Sequence, residues 1–570
     1  LGSPHIDNSA RLCHAASTVA MKAALGYGAS TCSYTDWLEA DLIVFFGSNV
    51  ANNQPVTTKY LAVARDNGAQ IAVVNPYREP GLAKYWIPSL AKSAVFGTKL
   101  ADHWFDVHTG GDRAFLVGVL RALIEENGVD EAFVSERTLG FEAARSAALS
   151  SAWADLECES GTSIDTMRAF ARLLIDRPNA IFVWSMGLTQ HAHGVETIAA
   201  LINVGLARGL VGRERRGLVP IRGHSGVQGG AEVGCVPQVD AETAARWSNV
   251  WGFEVGPQRG WTATEMIERS ANGDVDLFWI VGGNFLETVA DTGQSRRALQ
   301  RPGLRIHHDI VVSSSMLVDG DGDVLILPAA TRYESEGGGT ETSTERRIIF
   351  SPEIRGRRVG SARPEWQAFG EAMARAFPER AHLVRFDNAA SIRREIGQAI
   401  PLYRGIEGLA AKGDQIQWGG RTLFSDGRFA TADGKAHFVA TMPHHSTATS
   451  RGAAGEAGRT PRFRVSTRRG KQFNSMVQRN VDPLTGAARD EILMSAEDAS
   501  VLGLRAGQRI RLTAQSGSLT GRVRTAHIKP GNLEVHWPEG NILLSAAAID
   551  PDSMEPDYNA SVTVESLHDE

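Results

Sequence analysis

Cysteine is scarce in this chain, which has only four among its 570 residues. No two of them form a Cys-x-x-Cys pair, so the sequence predicts neither a structural zinc site nor a cysteine-held iron–sulfur cluster within this chain. So few cysteines indicate a reducing compartment without disulfides, and we expect a cytoplasmic protein. We expect Cys32 and Cys158 to be small buried apolar residues and Cys235 to have a structural role.

Long apolar runs and basic runs are missing as well. No stretch approaches the roughly 20 apolar residues that cross a bilayer, so we expect no membrane span. A net charge of -6 without a basic run argues against nucleic acid as a partner. The first residues, Leu-Gly-Ser-Pro-His, have neither an initiator Met nor a signal-peptide pattern, and we expect them to lie inside a longer protein.

What the sequence does contain is the alternation of an α/β protein. Short apolar runs that end in Gly, Asn or Pro alternate with longer helical patterns, which is typical of parallel sheets covered by helices. The apolar runs predict strands at residues 42–46, 71–74, 180–184, 277–281 and 324–327. The helical patterns predict helices at residues 17–25, 115–126 and 163–174.

One strand-and-turn pattern occurs twice at the same spacing. The strand after Asp41 ends in Gly47-Ser48-Asn49. The strand after Asp276 ends in Gly282-Gly283-Asn284. In open α/β sheets ligands bind beyond the carboxyl ends of the strands, where Gly lets the backbone approach a phosphate. The repeat therefore indicates two related nucleotide-binding halves, although such turns also recur by chance in large α/β proteins.

The composition changes near the C-terminus. Residues 444–460 are rich in Ser, Thr, Ala, Gly and Arg, which predicts a linker. Beyond it, alternation at 509–513, a turn at Ser516-Gly517 and a second run at 521–525 predict a hairpin in a barrel-like β domain. We predict a multi-domain α/β fold: two pseudo-symmetric α/β domains at 1–224 and 225–443, the linker at 444–460, and the β domain at 461–570.

Cys13 and His14 directly precede the first predicted helix. A Cys near a helix N-terminus has a lowered pKa and is a better thiolate ligand or nucleophile. On these residues alone, a buried Cys that caps the helix is the stronger alternative.

Several segments, in order, resemble the catalytic subunits of formate dehydrogenases. Around Cys13 the sequence Ala-Arg-Leu-Cys-His-Ala-Ala-Ser is similar to the segment in which Cys or selenocysteine binds molybdenum. Around Arg222, Pro-Ile-Arg-Gly-His-Ser-Gly-Val-Gln-Gly resembles the family's Pro-x-Arg-Gly-x-x-x-Val-Gln-Gly motif. The similarity continues at 187–191, 194–197, 466–474, 536–541 and 556–559. Several segments match best the YdeP-type branch of the family.

The resemblance implies a molybdenum (or tungsten) ion held by two molybdopterin guanine dinucleotides and by the thiolate of Cys13. It implies that Arg222 clamps a carboxylate substrate and that His14, with a pKa near neutrality, takes up a proton. The residues that it assigns to the dinucleotides are Gly47, Ser48, Asn49, Asn75, Asp112, Gly187, Gly223, Gly282, Gly283, Asn284, Arg468, Lys471, Gln472, Asn474 and Asn559.

Two of these assignments depart from the family pattern. Asn75 stands where the family often has an acid that contacts the ribose of guanosine. Asp112, in a loose version of the turn that reads guanine, accepts hydrogen bonds from the base or caps the following helix.

The implied reaction is the two-electron oxidation of formate to CO2. The same charges also suit another small anion such as nitrate, and a catalytically silent, cofactor-binding stress protein is a third hypothesis. The family also implies a [4Fe-4S] cluster upstream of Leu1, and an electron acceptor that these residues do not identify. A nicotinamide enzyme fits poorly, because no Gly-x-Gly-x-x-Gly follows a strand with an acid about 20 residues later.

Overall fold

The computed structural model describes residues 3–224, 226–256, 258–356, 358–443, 461–470, 473 and 477–567. They form two compact units. The first, which we call the Cys13 unit, comprises Cys13–Gly223, Thr288–Asp291 and Arg421–Glu570. The second, which we call the Gly282 unit, comprises Leu1–Leu12, His224–Glu287 and Thr292–Gly420.

The strands of the described residues are numbered in chain order. They are β1 (Leu42–Phe46), β2 (Gln70–Val74), β3 (His103–Phe105), β4 (Thr138–Leu139), β5 (Ala180–Trp184), β6 (Gly217–Pro220), β7 (Leu277–Val281), β8 (Leu304–Asp309), β9 (Asp323–Pro328), β10 (Gly339–Thr342), β11 (Arg347–Ser351), β12 (Gln415–Gln417), β13 (Ala436–His437), β14 (Arg462–Arg468), β15 (Glu491–Met494), β16 (Arg509–Thr513), β17 (Ser518–Thr525), β18 (Asn532–His536) and β19 (Asn559–Ser566).

The α-helices are numbered in the same way. They are α1 (Ala15–Leu25), α2 (Tyr34–Trp37), α3 (Val50–Asn53), α4 (Thr57–Asp66), α5 (Pro80–Ala83), α6 (Ala91–Phe96), α7 (Asp112–Glu125), α8 (Glu131–Arg137), α9 (Phe141–Ser150), α10 (Trp153–Ser160), α11 (Ile164–Asp176), α12 (Met186–Thr189), α13 (Gly194–Ala207), α14 (Val227–Glu232), α15 (Ala241–Trp251), α16 (Ala263–Asn272), α17 (Phe285–Thr288), α18 (Thr292–Gln300), α19 (Glu365–Ala376), α20 (Ala389–Ala399) and α21 (Ala496–Val501). Short 3-10 helices lie at Ser9–Leu12, Ser314–Leu317, Arg332–Glu334, Pro378–Val384, Pro401–Tyr403, Ile406–Gly408 and Glu539–Leu543.

The Cys13 unit contains a parallel sheet of order β3-β2-β1-β5-β6. In its centre Phe46 pairs with Val74 of β2 on one side and with Trp184 of β5 on the other. All residues of β1 and β5 are buried, as expected for parallel strands covered on both faces. Each such apolar side chain stabilises the fold by roughly 1.5–3 kcal/mol. The predicted strands 42–46 and 180–184 are confirmed, and β2 begins one residue before the predicted 71–74.

The helices around this sheet confirm the predicted helical segments but begin at different residues. Helix α1 begins at Ala15, two residues before the prediction, and α11 begins directly after its N-cap Ser163. Helix α7 begins at Asp112, and its N-cap is Gly111. The alternative in which Asp112 caps this helix is therefore wrong.

The C-terminal part of the Cys13 unit is a closed barrel of order β14-β18-β15-β17-β16-β19. Because side chains alternate along a strand, Phe463 and Val465 of β14 join Leu533 and Val535 of β18 in the barrel core. The predicted hairpin is β16–β17, closed by a backbone hydrogen bond between Ala514 and Gly517. The predicted barrel-like domain is confirmed.

The Gly282 unit contains a parallel sheet β7-β8-β9 and an antiparallel sheet β10-β11-β12. Strand β7 matches the prediction, and β9 extends the predicted 324–327 by one residue at each end. Gly282 and Gly283 follow β7 with φ of 68° and 83°, and nothing lies within 4 Å of a Cβ built on either. The left-handed backbone, rather than lack of space, favours glycine at both positions.

The mixed α/β fold class with its C-terminal barrel is thus confirmed. The domain boundaries at 224 and 443 stay a prediction, and the predicted linker 444–460 lies outside the described residues.

Two glycines bring the turn after β1 against the turn after β5. The Gly187 amide donates to the carbonyl oxygen of Gly47 at 3.1 Å. A Cβ on Gly187 would lie 2.5 Å from that oxygen, and a Cβ on Gly47 would lie 2.7 Å from the Gly187 backbone. The sequence interpretation explained Gly47 by the approach of a phosphate, but in the structure it is the Gly187 backbone that approaches it closely.

We expect Gly187→Ala to destabilise the protein by about 1–3 kcal/mol, because one turn must move away from the other. Denaturant unfolding measures the loss. Gly408→Ala is the control, since nothing lies within 4 Å of a Cβ at that position. Equal stability of the two variants would contradict the steric explanation.

Candidate functional site

A cavity of about 820 Å³, its open mouth included, lies at the carboxyl end of the parallel sheet in the Cys13 unit. The chain winds from β1 outward to β3 and then in the other direction from β5 to β6. Ligands of open α/β sheets bind where the winding reverses, here between β1 and β5. The segments that follow those two strands, 47–49 and 185–187, both line the cavity.

The barrel supplies another wall of the same cavity. Its lining residues are Ser466, Thr467, Arg468, Arg469, Glu534, Tyr558 and Asn559. The barrel is attached to the sheet next to this wall, because the Arg78 amide donates to His527 O and the Lys529 amide donates to Pro76 O. The cavity therefore brings together segments that lie more than 400 residues apart in the chain.

Most of the predicted cofactor residues line this cavity. They are Gly47, Ser48, Asn49, Asn75, Asp112, Gly187, Arg468 and Asn559. Gly282, Gly283 and Asn284 belong to the other unit, where Asn284 Oδ1 accepts hydrogen bonds from Ser314 and Ser315. Lys471, Gln472 and Asn474 lie outside the described residues.

Several buried polar atoms in the cavity wall have no hydrogen-bond partner. They are Ser48 Oγ, both amide atoms of Asn49, Thr109 Oγ1 and Ser466 Oγ. Buried polar groups are nearly always paired, and leaving one unpaired costs about 1–3 kcal/mol. Donors and acceptors gathered around one cavity fit a polar ligand that supplies the missing partners.

Two of the predicted residues, Asn75 and Asn559, already have partners, whereas Asp112 is known by its burial. Asn75 Nδ2 donates to Tyr77 O at 2.7 Å, and Asn559 Nδ2 donates to Gln190 O at 3.0 Å. Burial raises the pKa of Asp112 to about 6. Of the three, Asp112 keeps the acceptor chemistry that the sequence predicted for it.

Cys13 lies in the same unit, buried just before α1. Thr189 Oγ1 donates to its carbonyl oxygen at 2.6 Å, and the Gly223 amide donates to its sulfur. Arg222, which is 7% exposed, donates to Gly28 O at 2.8 Å and interacts electrostatically with the Cys13 thiol. The structure thus brings together Cys13, Arg222 and Gly223.

The predicted lowering of the Cys13 pKa is wrong for this structure. Burial raises the pKa of the thiol to about 11, Glu555 raises it further, and Arg222 and Arg469 oppose the rise. The helix end does not compensate, because Glu555 Oε2 already accepts a hydrogen bond from the Ala16 amide in the first turn of α1. His14, not Cys13, is the N-cap residue.

The predicted near-neutral pKa of His14 is wrong as well. Burial lowers it to about 3, and Arg222 adds to the lowering. Trp184 Nε1 donates to Ser17 Oγ at 2.8 Å, which leaves the Ser17 hydroxyl free to donate to His14 Nδ1 at 3.1 Å. His14 Nε2 then donates to Ile221 O at 3.0 Å. Both ring nitrogens of the neutral imidazole are therefore engaged.

The sequence interpretation missed Arg469 as a site residue. Its guanidinium lies between the rings of Trp537 and Tyr558, 4.7 and 4.6 Å from their centroids, and Nη1 donates to Met186 Sδ at 3.0 Å. Arg469 lines the cavity and, with Arg222, lowers the pKa of Cys13. Two guanidinium groups therefore lower the pKa of one thiol. In the sequence, Arg469 follows Arg468 within the family-like segment 466–474, and this pair of arginines could have identified it.

The loop at 550–555, which was not predicted, supplies carboxylates to two helices. Asp550 Oδ2 accepts from the Val195 amide at the start of α13, and Glu555 accepts at the start of α1. Acids at helix N-termini are stabilising. The loop thus connects the start of α13 to the start of α1, the helix that follows Cys13 and His14.

The predicted cofactor residue Arg468 is the centre of a buried ion cluster. Its Nη2 donates to Glu79 at 2.8 Å and its Nη1 donates to Asp482, while Glu534 Oε2 lies 3.9 Å from Nε without a hydrogen bond. Three carboxylates surround one cation, so Arg468 has no net positive charge to offer a phosphate. Its role as a cofactor contact stays a prediction.

The other cysteines divide into two groups. Cys32 is buried as predicted, whereas Cys158 is exposed, so its prediction as a buried apolar residue is wrong. Cys235 is also exposed, and its structural role stays a prediction.

None of the helices in the described ranges is long and apolar enough to cross a membrane. Among the same residues, no three His, Cys, Asp or Glu side chains are grouped so that they could hold a metal ion.

Comparison with protein families defines the class to which this site belongs. A family described as molybdopterin oxidoreductase matches residues 2–374, and a molybdopterin dinucleotide binding domain matches residues 463–562. The chain belongs to the molybdopterin oxidoreductase family. The second match falls on the barrel that forms one wall of the cavity.

Individual relatives cover almost the whole chain. An uncharacterized oxidoreductase of Mycobacterium tuberculosis is 29% identical over 95% of this chain and 72% of its own. Protein YdeP of Escherichia coli is 27% identical over 99% and 77%. The F420-dependent formate dehydrogenase subunit alpha of Methanocaldococcus jannaschii is 26% identical over 95% and 78%.

A solved structure agrees with the fold. Acetylene hydratase from Pelobacter acetylenicus superposes with a TM-score of 0.71 at 15% identity, covering 99% of this chain and 83% of that one.

The ion cluster makes a prediction about stability. Burial raises the pKa of Glu534 from 4.5 to about 8, and Glu79 adds to the rise. The folded state therefore binds the carboxyl proton of Glu534 more tightly than the unfolded state does. For this reason the free energy of unfolding falls as the pH rises from 4.5 towards 8. Glu534→Gln cannot bind this proton and so lacks the pH dependence. We expect the free energy of unfolding of the variant, relative to wild type, to increase by on the order of a few kcal/mol between pH 5 and pH 8.

Urea unfolding at both pH values measures the difference. Glu565→Gln, which changes an exposed residue of the same barrel, is the control and should show no such growth. If the difference in free energy of unfolding between wild type and Glu534→Gln were the same at both pH values, the raised pKa would be contradicted.

Proposed function

We propose that the chain oxidises formate to CO2 at a molybdenum (or tungsten) ion bound by two molybdopterin guanine dinucleotides. The observation that supports it best is the group at Cys13: a buried thiol in the electrostatic reach of two guanidinium groups. A relative that is named a formate dehydrogenase subunit adds to this.

The cavity residues fit a dinucleotide. Ser48, Asn49, Thr109 and Ser466 have buried polar atoms without partners. The match to the molybdopterin dinucleotide binding domain includes the barrel residues that line the cavity. A soft thiolate suits molybdenum, and Cys13 is the protein ligand in this proposal. The second dinucleotide is assigned to the turn at Gly282 and Gly283, where the space beside both glycines is open.

The residues around Cys13 have separate tasks in this proposal. Arg222 binds the formate carboxylate through paired, charge-assisted hydrogen bonds and orients the C–H bond. The Gly223 amide stabilises the sulfur as thiolate. The bound metal–pterin group would accept the two electrons from the C–H bond, and the proton is released.

His14 stays in the proposal with a positioning task. Its bonds to Ser17 and Ile221 tie the start of α1 to the end of β6, and so hold Cys13 near Arg222. The imidazole could take a proton only if the Ser17 hydroxyl changed from donor to acceptor at Nδ1.

We expect Cys13→Ser to lower dye-coupled formate oxidation at least about a hundredfold, because the soft ligand is lost. Metal and pterin analysis of the purified protein accompanies the assay. Cys158→Ser, at an exposed cysteine, is the matched control and should keep wild-type activity. Wild-type turnover in Cys13→Ser would show that the ligand is misassigned.

We expect Arg222→Lys to raise the KM for formate about 10–100-fold, because the charge remains but the paired geometry is lost. Arg511→Lys, at an exposed position, is the control. Nitrate and other small anions are assayed in parallel. An unchanged KM would remove Arg222 from the substrate site, and turnover of another anion with none of formate would replace the proposed substrate.

A further inference from the structure

The outer face of the barrel is polar yet buried where it meets the cavity. Alternation along β14 and β18 directs Phe463, Val465, Leu533 and Val535 into the barrel core. The intervening residues Asn532, Glu534 and His536 lie on the outer face, and all three are buried. A buried polar strand face needs partners from whatever covers it.

On this face Glu534 and Ser466 lie side by side. The parallel register of β14 and β18 pairs these two residues, and both line the cavity. Ser466 Oγ and Glu534 Oε2 are both buried without a hydrogen-bond partner. Glu534 itself is only 7% exposed.

In this structure the nearest cation, Arg468, does not donate a hydrogen bond to Glu534. The two terminal nitrogens of Arg468 already donate to Asp482 and Glu79, and its Nε is 3.9 Å from Glu534 Oε2 without a hydrogen bond. Burying a carboxylate without donors is costly. Because Glu534 lines the cavity, a ligand bound there is placed to supply donors to this oxygen.

We propose that Glu534, with Ser466 beside it, binds the 2-amino-4-oxopyrimidine ring that guanine and pterins share. This ring presents two neighbouring N–H donors, which suit one carboxylate, and next to them a carbonyl acceptor, which suits the Ser466 hydroxyl. The inference rests on the proposed dinucleotide cofactor and names residues that recognise it.

The same arrangement rejects adenine. At the corresponding edge adenine presents a ring-nitrogen acceptor beside its amino group, so its lone pair would face the carboxylate. Hypoxanthine keeps the ring N–H and the carbonyl but lacks the 2-amino group, and so loses one of the two hydrogen bonds to Glu534. Losing one of two hydrogen bonds at this buried carboxyl group is expected to weaken binding at least about tenfold.

The test measures ligand binding to the full chain prepared free of cofactor. Calorimetry compares GMP, IMP, AMP and neopterin on wild type, Glu534→Gln, Ser466→Ala and the exposed control Glu565→Gln. We expect wild type and the control to bind GMP, neopterin or both, with IMP at least about tenfold weaker than GMP and AMP weaker still. Glu534→Gln should abolish this selectivity, and Ser466→Ala should weaken binding of the oxo ring.

GMP and neopterin represent the guanine end and the pterin end of the dinucleotide, so the experiment distinguishes the two. Dependence of GMP binding on Glu534 assigns the guanine, and dependence of neopterin binding assigns the pterin. Equal binding of GMP, IMP and AMP, no binding of either ring, or full selectivity in Glu534→Gln would overturn the proposal. Formate turnover does not enter the assay, so failure of formate as substrate and failure of this inference are separate results. Circular dichroism confirms that each variant is folded.

Discussion

The structure of the Cys13 unit depends on a polar barrel face that is buried against the carboxyl end of a parallel sheet. Residues of β14 and β18 that would face water in an isolated barrel instead line a cavity. Burial strengthens each electrostatic interaction and makes each missing partner costly. The unpaired atoms of Ser48, Asn49, Thr109 and Ser466 are therefore best understood as the protein's half of a polar interface.

The charges near Cys13 follow from the same burial. Arg222 and Arg469 favour the thiolate, whereas desolvation and Glu555 oppose it. Glu555 also accepts a hydrogen bond from the first turn of α1, so one carboxylate both fixes the helix and sets the local charge. In this environment a ligand that brings positive charge to the sulfur would favour the thiolate, which is the basis of the role proposed for Cys13.

The sheet end itself is shaped by backbone contact. Gly47 and Gly187 let two turns meet at the point where the winding of the sheet reverses. A side chain on either glycine would separate the turns and so move the segments 47–49 and 185–187 that line the cavity. The glycine of a strand-end turn can thus serve the packing of the protein as well as the approach of a ligand.

The sequence alone determined the features that depend on local pattern. Alternating apolar runs gave β1, β5 and β7 with correct bounds, the hairpin β16–β17 followed from its period and turn, and motifs around Cys13 and Arg222 named the family. These are properties of neighbouring residues, which hydrophobic burial and turn chemistry fix without reference to the rest of the chain.

Only the tertiary structure decided what distant residues do to one another. The pKa of Cys13 and of His14 depends on burial and on Arg222, so the sequence predicted the wrong direction for one and the wrong range for the other. Arg468 is a basic residue in the sequence, and only folding surrounds it with three carboxylates. Desolvation and charge pairing act through space, and the order of residues along the chain does not contain those distances.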